Sequence, residues 1–262
     1  MKLQNRVALV TGAGTGIGRA IAELFAQEGA KVAVNYSRSR EAAEEVVAGI
    51  HASGGTAVAI GADVSNSAEA NAMVERVGRE LGRLDILVNN AGWSTRIPHD
   101  RLEDLTDEIW NRTFDTNLRG AFYTTRAAVP WLRKQPGSSI VNIASVAGMT
   151  GMGSSIAYAA SKGGMITMTK SLARALAPGI RVNAIAPGFV RTRFANWPDS
   201  AFEQGQAITP LQQLATVEEV AAMALFLAAD ATSTTGETVI IDGGLTQLGT
   251  VQLHARVLER RA

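Results

Sequence analysis

Seven short runs of β-branched and small apolar residues alternate with longer alanine-rich segments along the chain, and this alternation constrains the fold more than any other feature. The runs predict strands at Val7–Thr11, Lys31–Tyr36, Ala57–Gly61, Leu84–Asn89, Ser139–Ala144, Arg181–Ala186 and Thr238–Ile241. Helical spacing predicts helices at Ile17–Glu28, Arg40–Ala52, Ala68–Leu81, Asp104–Lys134, Ser155–Ala177 and Val217–Ala229, several of them stopped by Gly29, Gly54-Gly55 or Pro178-Gly179. A strand that is apolar at nearly every position has no wet face, so helices must cover both sides of its sheet. The expectation is an α/β chain with one doubly wound, seven-stranded parallel sheet and right-handed crossovers. No repeat or linker interrupts it, so residues 1–262 read as one domain. The polar stretch Thr192–Pro210, with Pro198 and Pro210, breaks the rhythm and reads as a long loop, a substrate lid.

Charge and composition remove several classes of function. Lys plus Arg number 25 and Asp plus Glu 24, so no basic excess calls for nucleic acid or an anionic membrane. The absence of cysteine excludes disulfides, thiolate metal sites and cysteine nucleophiles. His51, His99 and His254 show no ligand spacing, and no metal is expected. Val220–Ala229 is far shorter than the roughly 20 apolar residues that span a bilayer. The first residues run directly into a strand rather than a signal-peptide core, and a cytoplasmic protein is expected.

The first strand leads into Thr11-Gly12-Ala13-Gly14-Thr15-Gly16-Ile17-Gly18 and then a helix. Glycines let the backbone approach a pyrophosphate, and the helix start supplies free N–H groups and positive dipole. Gly12, Gly16 and Gly18, with Thr15 and Ile17 between them, therefore predict the phosphate site of a Rossmann-type dinucleotide fold. The second strand ends Asn35-Tyr36-Ser37-Arg38, with no acid before Glu41 to bind a ribose 2′-hydroxyl. Ser37 and Arg38 can instead hold a 2′-phosphate, with Arg40 adding charge. NADP is favoured over NAD, and use of both stays open.

Ser145 follows the fifth strand, and Tyr158 and Lys162 stand four apart on one helix face. Strand C-termini are where open α/β sheets hold ligands, so these three can converge beside the dinucleotide. A carbonyl that accepts hydride needs a proton. Tyr158 can supply it, a neighbouring Lys162 ammonium lowers the phenol pKa, and Ser145 can bond the carbonyl oxygen.

Taken in order, the glycine turn, Asn89-Asn90-Ala91-Gly92, Ser145, Tyr158 with Lys162, and Pro187-Gly188 resemble the short-chain dehydrogenase/reductase family in its compact branch, from about Arg6 to Gly244. The resemblance implies that Asn117 holds a water joining Lys162 to solvent and that Lys162 bonds the nicotinamide ribose. It further implies that Asp63 and Val64 flank the adenine, that Asn90, Ala91 and Gly92 line the ribose, and that Pro187, Gly188, Val190 and Thr192 orient the nicotinamide. A homotetramer is implied, pairing Asp104–Lys134 and Ser155–Ala177 across a two-fold axis, with Phe122, Val129, Trp131, Met165 and Met168 as contacts. Trp93, Met149, Met152, Phe189, Phe194 and Trp197 are the expected pocket walls and suit an apolar ketone or secondary alcohol. Arg96 and His99 are either anion contacts or a solvated loop face. The leading reading is an NADP-linked carbonyl reductase or alcohol dehydrogenase. A 3-oxoacyl-carrier-protein reductase is the alternative, with Arg133 and Lys134 as basic rim, and a dinucleotide sensor without turnover stands third. Leu245–Ala262 exceeds what the fold requires and is either a surface tail or a segment packed on a neighbouring subunit.

Overall fold

In the computed structural model, which describes residues 1–250, seven strands form one parallel sheet. They are β1 (Val7–Val10), β2 (Lys31–Tyr36), β3 (Thr56–Gly61), β4 (Ile86–Asn89), β5 (Ser138–Ile143), β6 (Ile180–Pro187) and β7 (Thr238–Ile241). Their order across the sheet is β3-β2-β1-β4-β5-β6-β7, each neighbouring pair parallel. The chain winds outward from β1 in one direction and, from β4, in the other. This reversal opens a crevice beyond the C-terminal ends of β1 and β4, where sheets of this kind bind ligands.

The apolar runs are explained by two cores rather than one. Ala8 and Val10 of β1, with Val32 and Val34 of β2, face helices α1 (Gly16–Gln27), α2 (Arg40–Ala52) and α9 (Val217–Ala229), meeting Ile21, Phe25, Val46, Val220 and Leu227. Val7 and Leu9 of the same strand face α3 (Ser67–Leu81), α5 (Gly120–Leu132) and α7 (Ile156–Leu176), meeting Val77, Leu132 and Ala173. Successive side chains alternate sides, so both must be apolar. Helix starts are set by side chains. Asn66 accepts from the amides of Ala68 and Glu69, and Thr216 forms a capping box with Glu219.

Three expectations change. The single helix Asp104–Lys134 is instead a 3-10 turn (Leu102–Asp104), α4 (Asp107–Phe114), a π turn (Asp115–Arg119) and α5. Thr106 caps α4, and Gly120 packs so closely on Val64 that a Cβ there would stand 2.8 Å from Val64 Cγ2. Thr192–Pro210 is not a bare loop. It holds a 3-10 turn (Phe194–Asn196) and the ten-residue α8 (Asp199–Ile208). Pro198 sits just outside that helix as its N-cap, with buried Phe202 facing inward. Short helices α6 (Ala147–Thr150) and α10 (Leu245–Leu248) were not expected.

One of the residues expected at an oligomer contact is internal and another is half-buried against a neighbouring helix. Met165 is fully buried beneath Ala184 and Ala144. Trp131 lies on α3, where its Nε1–H donates to Glu75 Oε1 at 3.1 Å and its ring fills the space above Gly78. Phe122 is exposed. No described helix is long and apolar enough to cross a membrane. Of the segment Leu245–Ala262, residues 251–262 lie outside the described residues.

Candidate active site

The turn between β1 and α1 is built for close approach. Gly12 takes φ +61°, and a Cβ there would lie 2.9 Å from Ala91 Cα. Its N–H donates to Asn35 Oδ1 at 3.1 Å, while Asn90 Nδ2 donates to the carbonyls of Thr11 and Gly12 at 2.9 and 3.1 Å. Thr11 Oγ1 accepts from the amides of Asn90 and Ala91, each at 3.0 Å. Thr15 at the start of α1 makes no side-chain cap bond, and no acid occupies the first turn. The amides at that helix start are therefore left for an outside anion. Asn35 and Thr11 were missed as site residues. The available signal was a polar side chain in otherwise apolar strands, now fully buried and holding the turn.

A cleft of about 1530 Å³ extends from this turn along the sheet edge. Gly12, Thr15, Gly16 and Ile17 line it at the phosphate turn, and Ser37 and Arg38 at the end of β2. Further along stand Asp63, Val64, Asn90, Ala91 and Gly92, then Pro187, Gly188, Val190 and Thr192. Gly18 lies behind the wall, where a Cβ would overlap the Asn90 amide. Arg38 is exposed and, among the described residues, in no ion pair, whereas Arg40 is bound by Glu44 at 2.7 Å and does not line the cleft. The expected contribution of Arg40 is thus corrected: its helical i,i+4 partner takes the charge. Asp63 is fixed by its own loop, its Oδ1 accepting from the amide and hydroxyl of Ser65 at 2.9 and 2.7 Å.

Beyond β5, Ser145 faces the start of α7. Ser155 caps that helix by accepting from the Tyr158 amide at 3.2 Å. Gly148 lets α6 lie against it, since a Cβ there would come 2.5 Å from the Lys162 carbonyl carbon. Tyr158 and Lys162 are thereby presented to the cleft together with Ser145. Lys162 is 3% exposed, donates from Nζ to Ile143 O at 2.7 Å, and stands 5.7 Å from the centre of the Tyr158 ring. Burial pushes the Tyr158 phenol up to about 12, with Ser145 opposing, and burial pulls Lys162 down to about 8. The expected lowering of the phenol by the ammonium does not appear. Desolvation outweighs the Ser145 hydrogen bond, and the protein's own groups favour a neutral phenol.

Asn117 sits in the π turn, behind the cleft wall. Its Oδ1 accepts from the Trp93 amide at 2.7 Å, and its Nδ2 donates to Trp93 O and Ser161 Oγ at 3.0 and 3.1 Å. A π turn in a helix often marks a functional position.

A family model described as enoyl-(acyl carrier protein) reductase matches residues 12–246. A 3-oxoacyl-[acyl-carrier-protein] reductase of Synechocystis is 42% identical over 248 residues, covering 93% of this chain and 98% of that one. An enzyme of the same name from Staphylococcus aureus is 42% identical over 242 residues, covering 91% and 97%. The solved structure of a short-chain dehydrogenase from Burkholderia cenocepacia in complex with NADP is 38% identical with a TM-score of 0.86, covering 93% and 98%. The chain belongs to the short-chain dehydrogenase/reductase family.

This short-chain dehydrogenase/reductase is an oxidoreductase, and the far end of its cleft is aromatic. Trp93, Met152, Phe189, Phe194 and Trp197 line it, while Met149, Arg96 and His99 do not. Phe194 reaches the Tyr158 ring at 5.6 Å between centroids, and Trp197 meets Phe189 edge-on at 6.1 Å. Arg112, from α4, lies 4.2 Å over the Trp93 ring, a wall residue that sequence reading passed over.

Proposed function

We propose that this short-chain dehydrogenase/reductase interconverts a ketone and a secondary alcohol with a nicotinamide dinucleotide, NADP(H) in preference to NAD(H). The observation that carries the reading is the convergence of Ser145, Tyr158 and Lys162 in one cleft with the glycine turn. The fit to a dinucleotide rests on the tight turn at Gly12, whose positive φ and close packing on Ala91 only glycine allows, and on the uncapped start of α1. Exposed Arg38, in no ion pair among the described residues, suits a 2′-phosphate together with Ser37, and the relative bound to NADP supports that choice.

When bound, the dinucleotide supplies hydride to a carbonyl carbon or accepts it from the alcohol. The chain's residues then manage the oxygen. Ser145 Oγ–H donates a hydrogen bond to it, and the Tyr158 hydroxyl gives it a proton as the carbonyl pair moves onto oxygen. Lys162 stabilises the phenolate left behind and holds the cofactor ribose. The Asn117 side chain is committed to Trp93 and Ser161, so a water-holding role falls to its main chain. Tyr158→Phe should lower kcat by at least about 10²-fold with cofactor affinity kept, read at nicotinamide absorbance on a carbonyl panel with both cofactors. Wild-type turnover in that variant would refute the assignment.

Reduction of a 3-oxoacyl carrier thioester is the second reading, favoured by the names of two relatives. The basic rim expected for it is not at the cleft. Arg133 and Lys134 follow the end of α5 and do not line the cleft, and Lys134 lies 4.5 Å over Trp131. A 3-oxoacyl thioester in the panel separates the two. A cytoplasmic homotetramer completes the proposal, with exposed Trp110 and Phe122 on α4 and α5 as contact surface.

A further inference from the structure

The substrate end of the cleft holds a cation that its surroundings leave free. Arg112 lines the cleft with its guanidinium carbon 4.2 Å from the centre of the Trp93 ring. The main chain of Trp93 is tied in both directions to Asn117, which fixes this platform beside the reacting residues. Glu108 stands one helical turn before Arg112, an order that ordinarily pairs. Here Glu108 and Arg112 form no ion pair among the described residues, and Thr106 caps the start of α4 by accepting from the Ile109 amide at 3.4 Å. The nearby carboxylates are spent elsewhere: Asp115 on Arg119 at 2.8 Å, Glu103 and Asp104 on Arg101 at 2.9 Å, and Asp199 on Arg191 at 2.6 Å. Among the described residues, Arg112 has no carboxylate within ion-pair distance. Arg96 repeats the arrangement at the rim, 5.1 Å over the Trp197 ring and likewise unpaired.

A guanidinium stacked on an indole keeps its in-plane N–H fork available and loses little freedom on binding. That fork fits the paired oxygens of a carboxylate or phosphate. We propose that Arg112, with Arg96 outside it, forms an anion subsite, and that the substrate is a carbonyl compound carrying a carboxylate or phosphate group. This rests on the carbonyl–alcohol reading above and narrows its substrate class.

The test compares ω-carboxylated ketones of graded chain length with their methyl esters, alongside an ω-phosphorylated ketone and a 3-oxoacyl coenzyme A thioester. Wild type should prefer the acid over its ester, and Arg112→Gln should erase about tenfold or more of that preference, raising KM for the acid far more than for the ester. Arg112→Lys should restore part of it, and Arg96→Gln should weaken longer acids more than shorter ones. Loss confined to the phosphorylated ketone or the thioester names phosphate as the anion, and loss confined to the carboxylated series names carboxylate. Arg112→Gln that weakens none of the carboxylated, phosphorylated and thioester substrates relative to the uncharged esters overturns the subsite. Binding to the protein loaded with reduced cofactor, followed by cofactor fluorescence, reads the same contrast without turnover. Arginine-dependent acid binding with no reduction of any ketone therefore defeats the reaction and keeps the subsite.

Discussion

Lys162 carries a charge in a place that burial disfavours, and its removal should strengthen the fold while ending turnover. Its ordinary pKa of 10.5 falls to about 8 at a residue only 3% exposed. That shift corresponds to about 3 kcal/mol of destabilisation near neutral pH. The sign follows from proton binding. Below about pH 8 both folded and unfolded chains hold the proton, and the burial penalty is fully present. Between about pH 8 and 10.5 the unfolded chain holds more protons, so stability rises with pH and the penalty fades. Lys162→Met keeps most of the volume and removes the charge. It also strips Ile143 O of its 2.7 Å partner, a loss of roughly 1–2 kcal/mol at any pH. The variant should therefore be about 1–2 kcal/mol more stable than its parent at pH 7, a rise of a few degrees in Tm for a chain of this size. By about pH 10 the penalty is under about 1 kcal/mol, and the advantage should become a small deficit. Denaturant unfolding of both proteins at the two pH values, at one protomer concentration, reads this directly. A variant equally weakened at both would show that Lys162 carries no buried charge.

Arg38→Ala should weaken NADP by about tenfold or more relative to NAD, read by fluorescence titration; equal losses would assign Arg38 to packing instead. Because burial holds Tyr158 as a phenol, reduction should change little across about pH 6–8, whereas alcohol oxidation, which needs the phenolate, should climb with pH. A flat oxidation profile up to about pH 9 would contradict this. Gly148→Val should lower Tm and kcat together by forcing α6 from α7, and a variant with parental activity would mean the contact does not position Tyr158 and Lys162. Phe194→Ala should alter KM and substrate preference more than NADP affinity, since the ring meets Tyr158 rather than the glycine turn. Equal hydrogen exchange in 192–210 with and without ligands would make that segment a fixed wall rather than a lid.

The sheet was legible because every strand but the edge strand β7 serves two cores, which forces a composition that little else produces. Ser145, Tyr158 and Lys162 were legible because each stands at a strand or helix end that brings it to the crevice. What was not legible depends on contacts between distant segments. Nothing in the run from Asp107 to Leu132 announces a π turn, because the Trp93 main chain and Ser161 hold it from outside. Met165, expected as a surface contact, is covered by Ala144 and Ala184, and Trp131 is half-covered by α3, since helical periodicity does not say which neighbour covers a face. The polar character of 192–210 concealed α8, whose inner face rests on Phe202 and on Gly205 packed against Phe189. The upward push on the Tyr158 phenol is not written in the spacing of Tyr158 and Lys162, because burial is a property of the assembled cleft.

Asn117 grips residue 93 by its main-chain N–H and C=O, not by its indole. The anchoring of Asn117 is thus indifferent to which side chain projects from that position. A lineage can exchange the wall at 93 and, across from it, the residue at 112 without disturbing the geometry that moves the proton. Heritable change in what is reduced is decoupled from the machinery that reduces it, so a gene copy of this scaffold starts its divergence at residues whose replacement leaves the chemistry running.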